Sequence, residues 1–273
     1  MKLKSNSFNT RMCLITTWCL VFLSSLFPQP VLADSIQKFE CGKALDGAPA
    51  NFTFYSASGA IDDGGRCEGV IKLPEGSKII AKNAFKGSRI TEIYLPNSLS
   101  DIRENAFNGS QLRTVNFGLG LKLIGPYAFS GSQLESVKIP ESLTYIGEDA
   151  FNGAPLKSVF IPKSIQSIGV RAFKETKIVS IDIPNSVSQL GGAAFSNSKL
   201  ESIVLPESIT YIQPYTFANS ELKKVIFPKN LRSINLFAFT GTKLESVYLP
   251  DGVEMVLAEA FGSKSHNYLV LNA

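Results

Sequence analysis

Apolar and polar positions along this chain recur with a period of 22 residues. Phe85, Phe107, Phe129, Phe151, Phe173, Phe195, Phe217, Phe239 and Phe261 carry that period, and the spacing never slips. Other apolar positions keep step with them. In the unit that begins at Phe151, the ring is followed by Leu156, Val159 and Ile161, then by Pro162, Ile165 and Ile168. A fixed period of this kind identifies a solenoid, in which each repeat is too small to bury its own apolar face and must stack on a neighbour.

The columns convert into geometry. Apolar residues two apart, such as Val159 and Ile161, alternate as a β-strand does, and their β-branched content agrees. Each unit therefore supplies one short strand. Proline cannot donate to a sheet ladder, so Pro96, Pro140, Pro162, Pro184, Pro206, Pro228 and Pro250 mark where the strand ends and the chain turns. Two residues after the ring stand Gly87, Gly109, Gly131, Gly153, Asn197, Asn219 and Gly241, which tolerate a left-handed backbone and predict a second turn. Glu175 alone breaks this column. The return segment, with Leu143, Ile146, Ala150 and Phe151 in one unit, has spacing that suits a short helix. Gly147 and the brevity of the segment argue for one loose turn instead, and the reading of that face stays open.

Leu156 to Pro162 spells Leu-x-x-Val-x-Ile-Pro, and Ile146 to Gly153 spells Ile-Gly-x-x-Ala-Phe-x-Gly. Together these resemble the leucine-rich repeats of the BspA type found in bacterial surface antigens. The resemblance runs from about Val70 to the C-terminus. It departs from the pattern at Gly118, which replaces the strand-end proline, and where Ser or another small residue replaces the cysteine often found shortly after the Phe. The resemblance implies a repeat solenoid: a right-handed coil with one parallel β-sheet face, and short turns or loose helical or extended segments on the other. It also implies extracellular adhesion or recognition.

Residues 1–33 carry Lys2, Lys4 and Arg11, an apolar run from Met12 to Phe27, and a small-residue end at Val31-Leu32-Ala33. This pattern predicts a secretory signal cleaved after Ala33, with an apolar run too short for a membrane span. Its removal takes away three basic residues and no acidic ones, so the formal charge falls from +4 to +1. No nucleic-acid partner is expected of a chain so nearly neutral, with no basic run. Cys13 and Cys19 leave with the signal, and Cys41 and Cys67 remain as the expected disulfide of an exported protein. Residues 34–69 are read as an N-terminal cap and residues 70–273 as the repeat solenoid.

Candidate chemistry is sparse. His266 is the single histidine, which leaves a Ser-His-Asp or Cys-His device little to build on. Asp62 and Asp63, before Gly64 and Gly65, lack the alternating oxygen-ligand spacing of a calcium loop and read as an acidic turn. Gly118 and Gly120 lack the third glycine of a dinucleotide site and the lysine of a phosphate loop. No enzyme, cofactor or metal is expected. Asn51 and Asn108 fit the glycosylation acceptor pattern.

The strand residues flanking the buried Val or Ile point outward. One column is Glu92, Thr114, Ser136, Ser158, Ser180, Ser202, Lys224 and Ser246; the other is Tyr94, Asn116, Lys138, Phe160, Asp182, Val204, Ile226 and Tyr248. A small polar stripe beside an irregular, partly apolar one suits a recognition face. Tyr94, Lys138, Phe160, Asp182, Val204, Ile226 and Tyr248 are the candidate ligand-binding residues. A third column, Glu135, Lys157, Val179, Glu201, Lys223 and Glu245, alternates in charge and is assigned to rung register. Asn267 to Leu271 supplies a last strand without a polar cap, through which two copies could join as a homodimer. The function expected is a protein that is secreted, periplasmic or on the cell surface and binds an extracellular protein or glycan. The alternative is a structural component acting through its ends, and an enzyme is a distant third.

Overall fold

The computed structural model describes residues 35–43 and 47–262, together with the backbone of 269–272. The predicted signal segment and its cleavage site lie outside these residues. The chain opens with β1 (Ile36–Lys43), β2 (Pro49–Tyr55) and β3 (Ala60–Asp62), an antiparallel meander. Two series of strands then alternate along the sequence. The first is β4 (Glu68–Lys72), β6 (Arg89–Tyr94), β8 (Thr114–Asn116), β10 (Ser136–Lys138), β12 (Ser158–Phe160), β15 (Ser202–Val204), β17 (Lys224–Ile226), β19 (Ser246–Leu249) and β21 (Leu269–Asn272). These are the strands that the Val-x-Ile-Pro pattern predicts, and those that pair do so in parallel.

The second series answers what the open return face does. Its strands are β5 (Ile79–Ile80), β7 (Asp101–Ile102), β9 (Leu123–Ile124), β11 (Tyr145–Ile146), β13 (Ser167–Ile168), β14 (Gln189–Leu190), β16 (Tyr211–Ile212), β18 (Ser233–Ile234) and β20 (Met255–Val256). Each spans two residues, yet they pair in parallel from rung to rung on either side of a break between β14 and β16, and β3 joins the cap directly to β5. No described residue is helical. The 3.6-like spacing has another cause, a string of overlapping turns. The N–H groups of Ala84, Lys86 and Ser88 donate three residues back at 3.2, 3.0 and 3.2 Å, while Asn83, Phe85 and Gly87 donate to the next rung at 3.1, 2.8 and 2.8 Å.

Such a string needs left-handed backbone on both sides of the ring. The position two after it is the Gly/Asn column, and Glu175 adopts the same conformation at φ 60°, so its side chain does not break the turn. The position two before it is left-handed as well, at Asn105, Tyr127, Asp149, Arg171, Ala193, Tyr215 and Phe237. Those side chains each cost about 1–2 kcal/mol in that conformation. The stacked rungs overcome that cost because every turn is bonded to its neighbour.

The core is a column of rings. Successive phenylalanines from Phe85 to Phe261 stack at 5.1–5.9 Å between centroids and within 15° of parallel. At the N-terminal end, Gly64 takes the ring position of the preceding rung, and a Cβ there would collide with the Phe85 ring. The space lets Phe52 of β2 tilt over Phe85 at 6.1 Å, with Phe39 stacked on Phe52 at 5.2 Å. The Asp62–Gly65 segment is thus where the cap meets the ring column. Cys67 and Cys41 form a disulfide. Cys67 N–H bonds to Gly64 as Ser88 N–H bonds to Phe85, so this cysteine occupies the column that later rungs fill with Ser, Thr or, at residue 154, Ala.

Candidate functional site

All of the predicted ligand-binding residues, Tyr94, Lys138, Phe160, Asp182, Val204, Ile226 and Tyr248, are exposed on the outer face of the first ladder. They do not form one stripe. The ladder is divided into β4-β6-β8, β10-β12, β15-β17 and β19-β21, and Ser180–Asp182 forms no strand. The missing strand opens a cleft of about 470 Å3 that gathers Asp182, Val204 and Ile226 with Ser158, Ser180, Ser202 and Lys224. Val204 and Ile226 are paired neighbours, 61% and 47% exposed.

A second hollow of about 580 Å3 collects Lys138 and Phe160 with Asn116, Phe117, Leu119 and Glu141. Lys138 Nζ stands 6.0 Å from the Phe160 ring centroid, at the outer limit of a cation–π contact. Tyr94 and Tyr248 line neither hollow. The Glu92 carboxylate, hydrogen-bonded to the Tyr94 hydroxyl, raises that phenol above its ordinary value.

Sequence periodicity missed Leu119, 78% exposed, because it lies in the segment where Gly118 replaces proline. Gly118 is more than a variant turn: a Cβ there would collide with the Pro96 carbonyl. The column assigned to register does bridge rungs, with Lys157 Nζ 2.8 Å from Glu135 and Lys223 Nζ 3.1 Å from Glu201. The Lys157 hydrogen bond and charge hold the Glu135 carboxyl below its usual range.

Among the described residues there is no cluster of metal-ligating side chains, and no helix is long and apolar enough to cross a membrane. His266 and the Asn267–Tyr268 start of the predicted last strand lie outside those residues. The final strand itself, β21, pairs with β19.

This geometry has relatives. The family model of the BspA type leucine-rich repeat region matches residues 69–178 and 150–267. The crystal structure of a leucine-rich repeat protein from Bacteroides ovatus is 27% identical over 84% of this chain, with a TM-score of 0.63. The match takes in 61% of that protein, so this chain spans about three fifths of its length. The pneumococcal vaccine antigen PcpA shares the fold at 19% identity and a TM-score of 0.53, over 83% of this chain and 78% of its own. No curated protein matches the sequence. With the family pattern running through nearly every rung, the chain belongs to the BspA type leucine-rich repeat family.

Proposed function

We propose that this chain is a secreted or surface-exposed recognition protein that binds an extracellular protein or glycan on the outer face of its first ladder. The observation that carries the reading is the cleft at Ser180–Asp182, where Val204 and Ile226 form an exposed apolar pair flanked by Asp182 and Lys224. An apolar centre with a charged rim is the anatomy of a protein interface, which favours a protein among the two ligand classes. The predicted leader and the Cys41–Cys67 bridge support an oxidising compartment. The cleft holds one carboxylate, Asp182, and no second one to complete a glycosidase-like pair, which favours binding over catalysis.

The test is to present the exported chain to immobilised extracellular matrix proteins and compare it with the Val204→Ser/Ile226→Ser double variant. Binding by the parent, lost in the variant at an unchanged melting temperature, supports the reading. No binding by the parent, or equal binding by both, refutes it.

A second reading, assembly through the solenoid end, draws on one observation. Val256 is 43% exposed, whereas the residues that precede it on the same column, from Ile80 to Ile234, are each at most 4% exposed. Sedimentation at micromolar concentration distinguishes the two, since assembly predicts a dimer that Val256→Lys dissociates.

A further inference from the structure

The second ladder is also divided. Gln189–Leu190 of β14 pairs back to β13 and Tyr211–Ile212 of β16 pairs on to β18, but no ladder joins β14 to β16. A cleft of about 510 Å3 opens at this division, within the size range of small-molecule sites. Tyr145 and Tyr211 bound it along the solenoid axis. They stand three rungs apart, about 14 Å at an inter-strand spacing of ~4.8 Å. Ser167 and Gln189 lie between them, and Gln213 lines the cleft from the rung of Tyr211.

The composition of this cleft is unlike the rest of the surface. Charged residues make up 18% of the chain, and none lines the cleft. The first-ladder cleft, by contrast, carries Asp182 and Lys224. The floor glycines are explained by packing alone, since a Cβ on Gly191 would approach Gly169 to 2.5 Å. Packing does not explain the walls. Tyr145 is 38% exposed and Tyr211 57%, and their column accepts Asp101 and Ser233 on other rungs.

We propose that this cleft binds an uncharged oligosaccharide. Exposed phenol rings offer flat apolar faces to the C–H faces of pyranose rings, and their hydroxyls remain free to bond. The amides of Gln189 and Gln213 and the Ser167 hydroxyl each donate and accept, matching sugar hydroxyls that do the same. A lining without charge has nothing to pair with a sulfate or uronate, whose desolvation would go uncompensated. The ring separation fits a short oligosaccharide rather than a monosaccharide. This site stands apart from the protein-binding face and does not depend on it.

The experiment titrates the exported chain with neutral tetrasaccharides of glucose, mannose, galactose and N-acetylglucosamine, and with sulfated and uronate-bearing counterparts. At least one neutral tetrasaccharide binds, and Tyr145→Ala and Tyr211→Ala each weaken it about tenfold. Tyr145→Phe and Tyr211→Phe keep the ring, guard against misfolding, and retain most of the affinity. Val204→Ser/Ile226→Ser leaves it unchanged, so failure of the first-ladder site reads out separately. Binding of none of the neutral sugars, binding of the charged ones alone, or equal binding by the parent and both alanine variants overturns the proposal.

Discussion

Phe151→Ala tests the ring column at its middle. The ring is fully buried and lies 5.4 Å from Phe129 at 3° and 5.6 Å from Phe173 at 2°. Truncating a buried Phe costs about 3–5 kcal/mol, the larger values arising where the surroundings cannot collapse into the gap. Collapse is blocked here, because backbone bonds from Phe151 N–H to Ala172 at 2.9 Å and from Phe129 N–H to Ala150 at 2.8 Å fix the rung spacing. The two lost stacks contribute about 0.5–1.5 kcal/mol each beyond buried area, so the expected cost is about 5 kcal/mol. Phe261, stacked at 5.3 Å on Phe239, is 7% exposed rather than fully buried, and its truncation is expected to cost about 3 kcal/mol. Stability in a stacked array is a sum of repeat and nearest-neighbour terms, so a central gap of this size separates the chain into two unfolding units. Urea titration followed by circular dichroism, with hydrogen exchange to assign each transition, measures both effects. A loss below ~1 kcal/mol at Phe151, or a larger loss at Phe261 than at Phe151, refutes the argument.

Other perturbations probe the cap, the turns and the surface. Replacing Cys41 and Cys67, separated by 26 residues, with Ala is expected to cost about 3.5 kcal/mol by the chain-entropy estimate, read as a lower urea midpoint that reductant reproduces in the parent. Arg171→Met leaves the Asp149 carboxylate, 1% exposed and bonded by Arg171 Nε at 2.9 Å, without its cation and with only the neutral Asn152 amide at 2.7 Å among its side-chain donors, at a cost of about 3 kcal/mol; adding Asp149→Asn recovers most of it in the same titration. Glu221 lies between Lys243 and Lys199, which hold its carboxyl below the ordinary range, Lys243 most strongly, while Glu221 raises the Lys243 ammonium. The carboxylate's contribution is present above its unfolded pKa and lost as pH falls through the depressed folded value; that of Lys243 is lost only as pH rises through its raised one. Melting temperature against pH is therefore expected to fall less steeply on the acid side for Glu221→Gln than for the parent.

Period and alternation made the first ladder and the ring column legible, and the two cysteines left after the predicted signal made the disulfide legible, because each rests on residues whose side chains set the structure. The second ladder was hidden because its two-residue strands, such as Tyr145–Ile146, are too short for alternation to register. The left-handed position before the ring was hidden for a different reason. It is filled by residues as unlike as Asn105, Arg171 and Phe237, because inter-rung bonds rather than local propensity hold the backbone there. The outer column was legible as exposed, but not where it opens. Ser180–Asp182 has the strand pattern in its sequence, and only the three-dimensional structure shows the strand missing.

Both clefts fall at one level of the solenoid, and the Gly column gives a cause. Gly125, Gly147, Gly169 and Gly191 occupy equivalent positions where a Cβ would come within 2.5–3.0 Å of the preceding rung's backbone. Gln213 is the next residue in that column, and it follows the tightest of these approaches. Arg103, Asn235 and Leu257 also fill this column on rungs that pair, but each follows a residue with a Cβ of its own, and Gln213 is the side chain that follows a glycine. At the glycine separation it cannot enter, so its rung stands off, and β14 and β16 do not pair. The ring column records the same event, with its widest spacing, 5.9 Å, between Phe195 and Phe217. Continuity passes to the rings while the ladder opens. Gln213→Gly removes the obstruction, and β16 is then expected to close onto β14. Amide exchange at Tyr211 and Ile212 should slow, with neutral-sugar binding reduced as the cleft narrows. Unchanged exchange at those two amides would show that the division has another origin.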